Sequence, residues 1–218
     1  KHIKFFKKIF LIALRNGWVD SDPFVNYRVK LDPVNREHLS LDELRKLANK
    51  DLHINRLGQV RDIFLFACFT GLRYSDVKQL NKDHISVNID GSKSIIKKIK
   101  KSNRNVKIPI LPPALKIIEK YKDDFECKIK GVCLPVPSNQ KTNAYLKEIA
   151  VLCGIHKNLT FHIARHTFAT ISIELGLTTE SVQAILGHSD LVTTQIYGKI
   201  TDKKVMSEMN KLKTKFKL

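Results

Sequence analysis

Residues 160–197 read TFHIARHTFATISIELGLTTESVQAILGHSDLVTTQIY, and this stretch decides how the rest of the chain is read. His162 and Arg165 are three positions apart, so a helix containing both puts them on one face, aimed at one oxygen-rich target. Gly176 and Gly187 stand where helices end, and Asp190 stands where a further helix carrying Tyr197 begins. Three short helices are therefore predicted to gather His162, Arg165, His188 and a phenol.

Working outward, Leu57–Phe69 is strongly apolar through Ile63, Phe64, Phe66 and Ala67 and predicts a central core helix. Thr70-Gly71 breaks it and delivers Arg73 at the start of the next helix. A guanidinium emerging there from a rigid core offers a planar fork suited to two non-bridging phosphate oxygens. Asp76, one turn on, is placed to orient Arg73 or Arg165; the plain alternative is a surface Arg73–Asp76 pair.

The charge balance points the same way. The 218 residues carry 39 Lys and Arg against 21 Asp and Glu, a formal net charge of +18. Such a field favours a polyanion, because lysine and arginine contacts to phosphate supply most non-specific nucleic-acid affinity. Cys68, Cys127, Cys133 and Cys153 form no C-x-x-C pair, so neither a zinc site nor a disulfide framework is indicated. No apolar run reaches membrane-spanning length and no signal peptide is visible, so no membrane partner and an intracellular, cytoplasmic location are expected.

The string H-x-x-R-H-T-F-A-T at 162–170, Leu186-Gly187-His188, Tyr197 and, upstream, Thr70-Gly71-Leu72-Arg73-Tyr74-Ser75-Asp76 together resemble the tyrosine recombinases, also called phage integrases. The similarity runs in matching order from about Leu39 to the C-terminus. It implies a tyrosine recombinase catalytic domain, mainly α with a small antiparallel sheet. The implied catalytic set is Arg73, Lys101, His162, Arg165, His188 and Tyr197, with Asp76 and His166 in support. The implied partner is double-stranded DNA, bound by a homo-tetramer on paired sites from a protein that is monomeric without DNA, in a bacterial nucleoid.

The remaining segments fit this frame. Lys1–Asn16 places Ile3, Phe6, Ile9, Phe10 and Ala13 on one stripe, with Gly17 as its end. By resemblance, 1–18 is the terminal helix of a truncated N-terminal core-binding domain, 19–36 a linker and 37–218 the catalytic domain. The linker is expected to be extended, from Asp22-Pro23 and Asp32-Pro33. Ser40-Leu41-Asp42-Glu43 matches a capping box that opens a helix to about Lys50.

Between Ile85 and Ile110 the period changes to two, predicting a three-stranded antiparallel sheet with turns at Asp90-Gly91 and Lys100–Asn105. In the family a catalytic lysine sits just before such a second turn and enters the minor groove. Lys101 aligns best and Lys100 is the runner-up; the plain alternative is that both are solvated phosphate contacts. Pro112-Pro113 opens a helix to about Tyr121, 123–137 reads as an irregular connection, and Ser138–Cys153 as another helix. In the tail, Val205, Met209, Leu212 and Phe216 form one stripe, a candidate for exchange between neighbouring subunits.

The chemistry expected of this set needs no metal, cofactor or ATP. Attack on a phosphodiester builds charge on equatorial oxygens, and Arg73, Arg165 and His188 are the donors aimed there. His162 serves as general base toward Tyr197, and Lys101 protonates the departing 5′ oxygen. By resemblance the product is a 3′-phosphotyrosine, and the enzyme a site-specific recombinase acting as a mobile-element integrase. A zinc-protease reading of His162 and His166 fails because Ile163 stands where H-E-x-x-H needs glutamate. A non-catalytic helix-turn-helix DNA-binding module at Thr178–Tyr197 leaves the ordered set unexplained. A type IB topoisomerase-like enzyme shares the chemistry, and composition does not separate it.

Overall fold

The computed structural model describes residues 2–27, 37–99 and 104–187. Expectations for Lys100, Lys101, His188, Tyr197 and the tail at 203–218 lie outside the described residues. The backbone divides into two units, Lys1–Asn35 and Arg36–Leu218.

In the first unit, helix α1 spans His2–Arg15 and ends at Gly17, whose φ of 67° is the left-handed geometry that glycine tolerates. Residues 22–27 are not extended. The Asp22 side chain accepts from the Phe24 amide at 2.8 Å, and the Phe24 carbonyl accepts from Lys7 Nζ. Phe24 packs edge-on against both Phe6 and Phe10, with ring centroids 5.6 Å apart in each pair. The aspartate turn before Pro23 thus folds the chain back onto α1.

The second unit is mainly helical, with α2 (Leu41–Asn49), α3 (Asn55–Thr70), α4 (Tyr74–Lys78), α5 (Pro112–Lys120), α6 (Phe125–Lys130), α7 (Asn139–Leu152), α8 (Phe161–Glu174) and α9 (Thr179–Leu186). The predicted capping box opens α2: Ser40 Oγ accepts from the Glu43 amide while the Glu43 carboxylate accepts from the Ser40 amide. Helix α3 is the hub. Val60, Ile63, Phe64, Phe66 and Ala67 have no exposed surface, and α2, α5, α7 and α8 pack around it. A helix that is apolar at every position from Ile63 to Phe69 can satisfy those faces only in such a position.

Strands β1 (Ile85–Val87), β2 (Lys93–Ile99) and β3 (Arg104–Pro109) form one antiparallel sheet in the order β1-β2-β3. Ile95 pairs with Ile85 on one side and Ile108 on the other. Ile95, Val106 and Ile108 are buried against the helices. The alternation of Ile85, Val87 and Ile89 does not mark a second buried face: Val87 is 69% exposed and Ile89 lies fully in solvent. Strand β1 is an outer strand of the sheet and ends at Val87, before the turn completed by Gly91 (φ 78°).

The connection expected to be irregular at 123–137 contains α6. Asp124 caps it by accepting from the Cys127 amide at 3.0 Å, and Gly131 ends it with φ 63°. Both signals stand in the sequence, but a six-residue helix is too short to show a period. Cys127, Cys133, Leu134 and Val136 from this segment are buried in the core.

Candidate active site

Arg73 reaches its position because α3 must stop. The Gly71 amide closes the helix on the Ala67 carbonyl at 2.9 Å with φ 69°, and two residues later Arg73 is the N-cap of α4. Its neighbour Tyr74 fixes the exit direction: the hydroxyl donates to the Pro137 carbonyl and the ring packs edge-on against Phe161 at 5.5 Å. The Arg73 side chain is partly exposed, yet its Nη1 is buried and has no hydrogen-bond partner among the described residues. A buried donor of that kind carries a desolvation cost that an oxyanion would offset.

Helix α8 supplies His162, Arg165 and His166. Its first amide, that of Phe161, is taken by Asn143 Oδ1 from α7 at 2.8 Å, since Thr160 makes no side-chain cap. Arg165 is 3% exposed. Its Nη1 donates to the Gly71 carbonyl at 2.8 Å and its Nη2 to the Leu186 carbonyl at 2.6 Å. These are the C-terminal ends of α3 and α9, where unpaired carbonyls and the helix dipole favour a cation. Two backbone carbonyls therefore help to aim this arginine.

His162 is exposed, one turn before the 5%-exposed His166, and the two rings meet edge-to-face with centroids 4.3 Å apart. Arg73, His162 and Arg165 line one open cleft of about 330 Å³, together with Tyr74, Asn143 and Thr160. The cleft thus joins residues that lie some ninety positions apart in sequence, with two fixed positive charges and an imidazole on its walls.

Asp76 is 2% exposed, and its Oδ2 is buried with no hydrogen-bond partner among the described residues. Its main-chain carbonyl accepts from Lys97 Nζ at 2.8 Å. Burial lowers the Lys97 pKa from the ordinary lysine range, and the nearby Asp76 carboxylate opposes that shift. Lys97, Tyr74 and Asn143 were missed from sequence. The signal for Lys97 was present, since a period of two from Ile95 turns it inward.

The phage integrase family profile matches residues 38–204. The chain belongs to the phage integrase family. Tyrosine recombinase XerD of Lacticaseibacillus casei is 30% identical over 223 residues, covering 94% of this chain and 73% of the relative. Among solved structures, the Tn1549 transposon integrase in complex with a circular intermediate DNA superposes with a TM-score of 0.69 at 17% identity, covering 94% of this chain and 76% of that one. The XerH recombinase in a post-cleavage complex with its difH substrate gives a TM-score of 0.61 at 20% identity over 79% of this chain; the chain spans about half of that XerH molecule, 52%. The fold is therefore that of a tyrosine recombinase catalytic domain, with the sheet inserted among helices as expected. Among the described residues, no helix is long and apolar enough to cross a membrane.

Proposed function

We propose that this chain is the catalytic part of a site-specific DNA recombinase that cuts and rejoins duplex DNA through a 3′-phosphotyrosine. The observation that carries the reading is the cleft in which Arg73, with a buried and unpaired Nη1, meets His162 and the carbonyl-clamped Arg165. Preorganised guanidinium groups cost no rearrangement when charge develops on a phosphoryl group, and removing one such donor typically costs about 10²–10³ in rate. Family membership supports the same chemistry.

In the proposed step, Tyr197 Oη attacks the scissile phosphorus, the Tyr–O–P bond forms and the P–O5′ bond breaks. Neutral His162 takes the phenolic proton, and Lys101, or else Lys100, gives a proton to the leaving 5′ oxygen. Arg73, Arg165 and His188 stabilise the equatorial oxygens. Because the bond energy is kept in the phosphotyrosine, a 5′ hydroxyl from another duplex reverses the step without ATP or metal. Four strands are exchanged by a tetramer on two paired sites, with the tail at 203–218 passing between subunits, and the protein works on the bacterial nucleoid as a mobile-element integrase. Residues 1–18 belong to a DNA-binding domain that precedes the linker.

The test is incubation in EDTA with a nicked duplex carrying the element's own ends, followed by a denaturing gel. A covalent adduct that disappears in Tyr197→Phe supports the reading. Binding to DNA with no adduct from the full-length protein favours a non-catalytic DNA-binding relative. Relaxation of supercoils without strand transfer favours a topoisomerase.

A further inference from the structure

Strand β2 carries two adjacent lysines with opposite fates. Lys98 is exposed, whereas Lys97 is only 7% exposed and sits on the core face of the sheet, between buried Ile95 and the residues that follow. It pairs across the sheet with Val106, itself buried. A lysine is almost never buried without a partner. The partner is the Asp76 carbonyl, 2.8 Å from Nζ. Asp76 lies among the last four residues of α4, whose carbonyls have no partner within the helix.

Burial works against the charged form of this ammonium, and the Asp76 carboxylate offsets part of that effect. The Asp76 carboxylate is close enough to interact with it electrostatically, as are the Cys133 thiol and His84, whose own pKa is lowered first by burial and then by Lys97. A methionine of similar volume would fill this position without a desolvation cost, and replacing buried charges by apolar groups is often neutral or stabilising. Stability alone thus does not call for a lysine here. Its bond runs from the sheet to the five-residue helix whose N-cap is Arg73. The same strand ends at Ile99, and the residues joining it to β3 include Lys100 and Lys101.

We propose that Lys97 is a positioning residue that locks the β2–β3 hairpin against the Arg73–Asp76 segment, so that the lysine of the joining residues and Arg73 serve the same phosphate. This inference rests on the recombinase reading. Lys97 touches neither DNA nor the reacting atoms; it sets the angle at which the strand leaves the core.

The experiment compares the full-length protein with Lys97→Met, Lys97→Gln and Lys97→Arg in single-turnover cleavage of two nicked duplexes. One has the ordinary bridging 5′ oxygen at the scissile phosphate and the other a bridging 5′ sulfur, which leaves as a thiolate without needing a proton. Lys97→Met is expected to melt no more than a few degrees lower, because the Asp76 carbonyl loses its donor, to keep its DNA affinity, to cut the oxygen substrate about a hundredfold more slowly, and to cut the sulfur substrate near the parent rate, because only the proton-transfer contribution to catalysis is lost. Lys97→Arg restores part of the oxygen rate, and Lys97→Gln gives the same oxygen-to-sulfur ratio should the methionine variant fold poorly. Equal slowing on both substrates, an unchanged oxygen rate, or parallel losses of melting temperature and affinity would overturn the proposal. Failure of the parent protein to cut either substrate sinks the recombinase reading itself, and this inference with it.

Discussion

The guanidinium of Arg165 donates to the carbonyl oxygen of Gly71, 94 positions earlier, at 2.8 Å. Its other terminal nitrogen takes the Leu186 carbonyl. A lysine has one point charge and no fork, so it can satisfy only one of these sites in the same pose. Arg165→Lys is predicted to lower single-turnover cleavage by about 10²–10³. It also leaves a buried carbonyl unpaired and lowers stability by about 1–3 kcal/mol, measured by urea unfolding. Full activity in this variant would remove Arg165 from the proposed chemistry.

Gly71 is sterically closed as well as left-handed. A Cβ there would lie 2.6 Å from Leu186 Cδ2 and 2.7 Å from Phe168 Cδ1. Gly71→Ala combines the left-handed penalty of about 1–2 kcal/mol with overpacking of about 1–3 kcal/mol. A loss of stability well above that of an alanine placed at Gly58, which meets nothing within 4 Å, is the expected result. Similar unfolding midpoints for the two variants would contradict the packing shown here.

Glu43 links the capping box of α2 to Lys157, which also donates to the His38 carbonyl. Burial pushes the Glu43 carboxyl up, but the bonds from Lys157 and Ser40 outweigh it and leave its pKa lowered. A carboxylate depressed in the folded state contributes stability that is fully present above its unfolded pKa of about 4.3 and lost as pH falls through the folded value. Lys157→Met should therefore lower the melting temperature by about 2–4 °C at pH 7, equivalent to ~1 kcal/mol. The gap between variant and parent should close as pH is taken below 4. A gap of constant size down the acid limb would show that the ion pair is not its source.

The thiols are predicted to be inert. Burial pushes Cys133 up to about 11, against the pull of Lys82 and Lys97, and burial with the neighbouring Asp124 pushes Cys127 up to about 12. Since the thiolate is the nucleophile, labelling of these two by a maleimide at pH 7 should be slow in the folded protein and rapid in denaturant. Fast labelling of either in the native state would mean that the 123–137 segment opens readily.

Much of the site was legible because helix punctuation is local. Gly71, Gly176 and Gly187 do adopt positive φ, and the i, i+3 spacing does put His162 and Arg165 on one cleft wall. The capping box at Ser40 and the two-residue period of the sheet were equally plain. What sequence could not supply is the partner of each buried polar group. Arg165 is aimed by two main-chain carbonyls and Lys97 bonds a third, and carbonyls are the same at every position of a sequence. Exposure at Val87 and Ile89 was unreadable for a related reason: alternation tells which residues share a face, but a neighbouring element decides whether that face is covered. Helix α6 escaped because its cap and its end lie too close together for any period to appear.

The clamp on Arg165 also dates the birth of the site during protein synthesis. One of its carbonyls belongs to Gly71 and the other to Leu186, 21 residues beyond the arginine itself. At a translation rate of roughly 5–20 residues per second, the Gly71 carbonyl waits about 5–20 s for Arg165 to be made, and Leu186 follows about 1–4 s later. A nascent chain therefore carries the Gly71 carbonyl well before the guanidinium it aims, and the clamp is completed only once Leu186 has been made.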